Sequence, residues 1–175
     1  MVVRLHGARG RGRVSWAPMA AQLWMLRHGE AVPHGSKPDP ERELTPRGRR
    51  QADAAGAALA ALGEQFGACY TSPKVRALET AELASAHLGL DPVLESSLAD
   101  GFSRVDALAL LDAHDGDAKV LVVGHEPSFS QVVYDFTGAR VDFKKGGVAA
   151  LRASRTSGQL LVLTRPKELE AVRPL

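Results

Sequence analysis

Arg27-His28-Gly29-Glu30 follows the apolar run Leu23-Trp24-Met25-Leu26, and His125 follows Val120-Leu121-Val122-Val123-Gly124. Between them, Thr71-Ser72-Pro73-Lys74-Val75-Arg76 reads as a strand end running into a helix start. Three strand ends thus deliver two imidazoles and two guanidiniums. In an open α/β sheet, ligands bind in the crevice beyond the carboxyl ends of the strands. Cations and helix N-termini gathered there suit an anion, and a phosphate above all. A neutral His28 is a nucleophile toward phosphorus when one ring nitrogen is held by an acceptor and the other is free. The backbone near Gly29 or Glu30 can supply that acceptor. Attack gives a phosphohistidine, which water then hydrolyses. Arg27 and Arg76 offer forked donors to the phosphoryl oxygens. A protonated His125 adds another donor, and Arg42, in a Pro-rich loop, can fold over the site as one more phosphate contact.

The surrounding pattern supplies the elements that must hold these groups. Residues 22–27 are predicted to form the first strand, followed by a loop over 30–44. Thr45-Pro46 reads as an N-cap with Pro at the first helical position, and Gly63 as the stop. Ala52, Ala55, Leu59 and Leu62 mark one face of that helix. Phe66–Thr71 reads as a strand, Ser72-Pro73 as a second cap-then-Pro start, and the helix so opened as running to about Gly89. A short strand is expected at Pro92–Leu94, a helix at about 103–113, a strand at Val120–Val123, and a helix carrying Phe129, Val132, Val133 and Phe136. Gly147–Ala153 and Gln159–Thr164 flank a Ser-Gly turn and read as an antiparallel pair at a sheet edge. Trp24 reads as core packing, Thr45 and Ser72 as caps, Glu30 as an orienter of loop backbone. His34, His87 and His114 read as surface residues. Strands alternating with helices predict a three-layer α/β/α fold, its sheet mainly parallel with an antiparallel edge.

Composition narrows the function classes. The 175 residues are most simply one domain, 45% hydrophobic and 24% charged, as in ordinary soluble proteins. No apolar stretch approaches the ~20 residues of a membrane span. A single cysteine, Cys69, excludes an internal disulfide, so a cytoplasmic location is expected. The formal charge is +2, yet residues 1–18 hold Arg4, Arg9, Arg11 and Arg13 and no acid, which leaves the rest mildly acidic. A nucleic-acid reader carries its basic face on the folded part, so none is expected here, and no membrane partner either. The first 18 residues have no apolar core of a secretory signal. They read as a disordered basic leader or a mis-assigned start with Met19 as the true one, leaving 19–175 as a single domain.

The Arg27-His28-Gly29-Glu30 block, the stretch Ser72-Pro73 to Arg76-Ala77 with Glu79-Thr80-Ala81, and Gly124-His125 together resemble the histidine phosphatase superfamily, which also holds the cofactor-dependent phosphoglycerate mutases. The resemblance spans about 21–165, with three blocks in order, each after a predicted strand. The short length, Leu44-Thr45 and Gly124-His125-Glu126-Pro127 are most similar to its small SixA-type phosphohistidine phosphatase branch. The resemblance implies a phosphoglycerate mutase-like fold, His28 as nucleophile, and Arg27, Arg76 and His125 as phosphoryl ligands. Arg42 matches a basic residue before the Leu-Thr pair of that branch.

Mutase-type members also carry an acid, usually Glu, between the second and third blocks. Here that stretch is Glu95-Ser96-Ser97-Leu98-Ala99-Asp100, in which Asp100 or Glu95 could serve, neither in a convincing motif. A phosphoramidate such as phosphohistidine has a better leaving group than an alkyl phosphate. The expected substrate is therefore a phosphohistidine-carrying protein. The alternatives are a small phosphorylated metabolite (sugar phosphate or nucleotide) and a non-catalytic phospho-ligand module. No cofactor or metal is expected: no HxH or HxxxH spacing occurs, and two arginines would repel a cation. Cys69 to Arg76 has six intervening residues, against the five of cysteine phosphatases. The cations should lower both histidine pKa values while bound phosphate raises them, giving a broad optimum near neutrality or slightly acid.

Overall fold

The computed structural model describes residues 21–172; the arginine-rich leader assigned to 1–18 lies outside them. Its elements are β1 (Gln22–Arg27), α1 (Pro46–Ala61), β2 (Ala68–Thr71), α2 (Val75–Leu88), β3 (Val93–Leu94), α3 (Arg104–Asp112), β4 (Lys119–Gly124), α4 (Ser128–Thr137), β5 (Val148–Ala153), β6 (Gly158–Thr164) and α5 (Pro166–Val172). Three-residue 3-10 turns lie at Asp39–Glu41 and Ser96–Leu98. The strands form one sheet in the order β3-β2-β4-β1-β5-β6. β1 to β4 run parallel, β5 pairs antiparallel with β1, and β6 antiparallel with β5, matching the mainly parallel sheet with an antiparallel edge read from the pattern.

Alternation along the strands sorts the core into two layers. Leu23, Met25, Val120 and Val122 face one way and pack with Phe129, Val132, Val133 and Phe136 of α4 and Ala107 and Leu111 of α3. Trp24, Leu26, Leu121 and Val123 face the other way and meet Ala55, Ala58 and Leu59 of α1, Ala77, Ala81 and Ala84 of α2, and Leu169 of α5. The fold is a three-layer α/β/α sandwich. Leu62, read as sharing one face of α1 with the buried Ala52, Ala55 and Leu59, is 59% exposed. It is the C-cap residue, one past the last helical residue Ala61. α5 was not anticipated; seven residues give too little periodicity to read.

α1 is opened by Thr45, whose hydroxyl accepts the Gly48 N–H, as its cap assignment predicts. α2 departs from expectation. Its N-cap is Lys74 and its first residue Val75, so Ser72-Pro73 lies ahead of the helix. Ser72 accepts the Lys74 N–H in a local turn, and no side chain caps the first turn of α2.

Two glycines bring α1 against the turn that leaves β1. A Cβ on Gly48 would stand 1.9 Å from the Glu30 carbonyl oxygen, and one on Gly29 would stand 2.4 Å from that of Gly48. Both obstacles are backbone, so neither rotates away. Gly48→Ala would gain about 1 kcal/mol of helix propensity, against about 3 kcal/mol for overpacking a rigid contact. We expect a net loss of about 2 kcal/mol in urea unfolding, with a fall in activity because the His28 turn is displaced.

Candidate active site

Register brings the two histidines together. Arg27 lies opposite Gly124 in the parallel β1–β4 pair, and the His28 N–H donates to the Gly124 carbonyl at 3.0 Å. The next residues, His28 and His125, therefore leave neighbouring strands at the same height. Their ring centroids are 5.0 Å apart. β2 lies on the other side of β4, and Ser72 N–H donates to the Val123 carbonyl at 3.0 Å. That carries Ser72, Lys74 and Arg76 to the same end of the sheet.

His28 is 6% exposed. Its Nδ1 lies 2.7 Å from the Gly29 carbonyl oxygen, which can only accept, so Nδ1 carries the proton of the neutral ring. Nε2 then presents its lone pair and accepts from Arg76 Nε at 3.3 Å. The Gly29 N–H in turn donates to Thr80 Oγ1, and Thr80 donates to the Arg76 carbonyl. One hydroxyl thus ties the His28 turn to the Arg76 turn of α2. Gln51 accepts the Glu30 N–H and Glu79 the Leu44 N–H, which fixes the remaining loop backbone.

Ser72 Oγ, already accepting from Lys74, lies 2.9 Å from His125 Nε2. Donating its proton there leaves the ring proton on His125 Nδ1, which is buried without a protein partner. Arg27 donates from Nη1 to the Phe143 carbonyl at 2.5 Å, and its Nε is likewise buried and unpartnered. Both are polar nitrogens left without a protein acceptor.

Asp39 is a member of this cluster that residue reading did not select. Arg76 Nη1 donates to its carbonyl at 2.6 Å, and Arg76 Nη2 meets its carboxylate at 3.2 Å. Lys74 at 3.2 Å and Arg42 at 2.9 Å share the same carboxylate. Burial opposes its ionisation, but the three cations hold its pKa well below the usual carboxylate range. Arg42 is 3% exposed, donates from Nε to the Val32 carbonyl at 2.9 Å, and reaches Arg76 only through Asp39. Asp100 is 85% exposed at its side chain and pairs with Lys74 at 2.8 Å. Glu95 turns its carboxylate onto the N–H of Ser97. Among the described residues, neither carboxylate hydrogen-bonds to His28 or His125. Glu30 pairs with Arg47 at 3.5 Å. Cys69 is buried within β2, and burial pushes its thiol up to about 11.

Both rings are held neutral. Burial is the main reason that the His28 pKa falls to about 2; the Gly29 bond opposes this, and His125, Arg76 and Arg27 add to it. Burial, with Arg76 and Lys74, takes His125 to about 3, against the pull of Asp39 and Asp100. The unfolded chain returns both to their ordinary 6.5. Between pH 6.5 and about 3 the unfolded chain therefore binds protons that the native chain refuses, and stability falls as pH falls. Each ring contributes at most about 1.4 kcal/mol per pH unit. The urea midpoint should drop between pH 7 and pH 4.5, and drop less in His28→Ala; equal slopes would refute this origin.

A phosphoglycerate mutase-like α/β/α sandwich with paired imidazoles and buried guanidiniums beyond its parallel strand ends defines a class of phosphate-handling proteins. The chain belongs to the histidine phosphatase superfamily: residues 23–108 match the model of that superfamily's branch 1. An uncharacterised protein of Picosynechococcus sp. is 34% identical over 162 residues, covering 85% of this chain and 98% of the relative. The structure of the protein histidine phosphatase SixA complexed with tungstate shares the fold, with a TM-score of 0.71 at 22% identity over 85% of this chain and 99% of that one. The phosphoserine phosphatase of Entamoeba histolytica does so with a TM-score of 0.67 at 15% identity, over 85% and 99%. Among the described residues, no helix is long and apolar enough to cross a membrane.

Proposed function

We propose that the protein is a cytoplasmic phosphatase that hydrolyses protein phosphohistidine through a phosphohistidine intermediate on His28. The observation that carries this reading is the ring state of His28: Nδ1–H is spent on Gly29, and the Nε2 lone pair faces the Arg76 guanidinium. Nε2 attacks phosphorus while the substrate's P–N bond breaks and its imidazole leaves. Water then attacks the phosphorus of the enzyme intermediate, and the His28–phosphorus bond breaks to release inorganic phosphate. Arg27 and Arg76 balance charge on the transferring oxygens. His125, neutral in the free enzyme, gains a proton when an anion arrives, because the added negative charge raises its pKa.

Phosphohistidine fits because no carboxylic acid stands ready for an alkoxide. Asp39 is held ionised by Arg42, Lys74 and Arg76, Glu95 caps its own turn, and Asp100 is bound to Lys74. A small phosphomonoester is the second reading, favoured by a cavity of about 520 Å³ that Arg27 shares. A panel separates them: phosphohistidine peptide, aryl phosphate, sugar phosphates and nucleotides, each with wild type and in excess EDTA. Turnover of the peptide, undiminished by the chelator, is expected. Efficient cleavage of sugar phosphates with phosphohistidine untouched would overturn the reading.

A further inference from the structure

The cavity beside Arg27 lies over the other half of the same sheet end. β5 runs antiparallel to β1 and β6 antiparallel to β5, so the chain entering β5 and the chain leaving β6 both emerge next to the end of β1. Lys144 and Lys145 come from the first, Arg165 and Lys167 from the second, and Arg47 from α1. With Arg27 they line the cavity with six cationic side chains. Against them stand Glu30, 3.5 Å from Arg47, and Asp142, 2.8 Å from Lys144 and 4.0 Å from Arg165. Lys145 and Lys167 have no carboxylate within ion-pair distance among the described residues. The remainder of the chain beyond the first 18 residues is mildly acidic, so this concentration is local.

Arg27 joins the two regions. Its backbone precedes His28, while its side chain lines the basic cavity and keeps a buried, unpartnered Nε. About 520 Å³ is the size of a small-molecule site, and a concave surface of one charge focuses the field on its contents. We infer that the cavity is a second anion subsite, taking a further phosphate or carboxylate on the molecule whose phosphoryl group reacts at His28. The inference rests on the proposed phosphatase reading and narrows its substrate class to polyanionic ones.

The test uses tripolyphosphate and orthophosphate as competitive inhibitors of 4-nitrophenyl phosphate hydrolysis at fixed ionic strength. Wild type should bind tripolyphosphate at least about tenfold tighter. K145E/K167E should lose that preference, its orthophosphate inhibition constant moving no more than about threefold. R152E/R155E removes the same charge at the far end of β5 and should keep the preference. Equal binding of the two anions by wild type would overturn the inference, as would a preference that survives K145E/K167E or is lost equally in R152E/R155E. Calorimetry of the same two anions on the same variants reads the subsite without turnover, so an inactive enzyme would count against the phosphatase reading alone. Two further pairs identify the source of the second charge: a phosphohistidine peptide with acidic or neutral flanks, and a small bisphosphate with its monophosphate. The pair in which K145E/K167E raises KM selectively is the one the subsite serves.

Discussion

His28→Ala should lower kcat by at least about a thousandfold, or about 4 kcal/mol of transition-state stabilisation. The variant keeps every binding group, since Arg27, Arg76 and His125 are anchored through Phe143, Asp39 and Ser72. Its loss is therefore one of chemistry. Folding should survive, because the ring's partners are its own neighbour Gly29 and Arg76, which retains Asp39. Removing a buried ring whose charged form the site refuses also removes its share of the acid sensitivity. Orthophosphate should bind the variant about as well as wild type. Acid quenching after labelled substrate should leave phosphate on His28 in wild type and none in the variant. A kcat within tenfold of wild type, or label on another residue, would remove His28 from the reaction.

The scaffold was largely legible because periodicity and turn chemistry agreed. The Thr45-Pro46 start, the two-faced strands and the antiparallel edge all follow from local pattern, and the structure repeats them. The register that pairs Arg27 with Gly124 is not local, yet parallel strands ending in Arg-His-Gly and Gly-His could meet usefully in few other ways. Ser72 shows the limit. A Ser-Pro dipeptide before a helix has the composition of a cap, but here Pro73 and Lys74 separate Ser72 from the first helical residue, Val75, and the hydroxyl goes to Lys74 N–H and His125. Composition cannot separate those two uses of one oxygen.

Asp39 was missed for a different reason. It sits between two prolines in a loop without periodicity, so nothing in the pattern marks it. A signal existed in the charges. Arg76 was expected at one strand end with Arg42 folded over the site, and buried cations require a counter-charge. The anion that balances them in the free protein is a carboxylate of the chain itself. Its presence also accounts for the position of Arg42, whose guanidinium faces Asp39 and the Val32 carbonyl.

Arg76 is the residue on which the two halves of this network meet, and its replacement should have the second-largest effect. All three guanidinium nitrogens are engaged: Nε with His28, Nη1 with the Asp39 carbonyl, Nη2 with the Asp39 carboxylate. Lysine keeps the charge but not the fork. Arg76→Lys should therefore lower kcat/KM by about a hundredfold and Arg76→Ala by about a thousandfold, the range for losing preorganised donors to a developing oxyanion. The alanine variant should also shift the pH profile. Arg76 is one of the charges that depress both histidines, so its removal raises their pKa values and moves the acid limb of kcat/KM toward neutrality. Asp39→Asn separates positioning from charge. It keeps the carbonyl that accepts Nη1 but removes a negative charge that raises the His125 pKa, so the pKa of that ring, read by NMR titration, should fall where Arg76→Ala raises it. Should Arg76→Ala and Asp39→Asn shift the His125 pKa in the same direction, the guanidinium would not be acting on that ring by charge, and its contribution would reduce to the geometry of the fork.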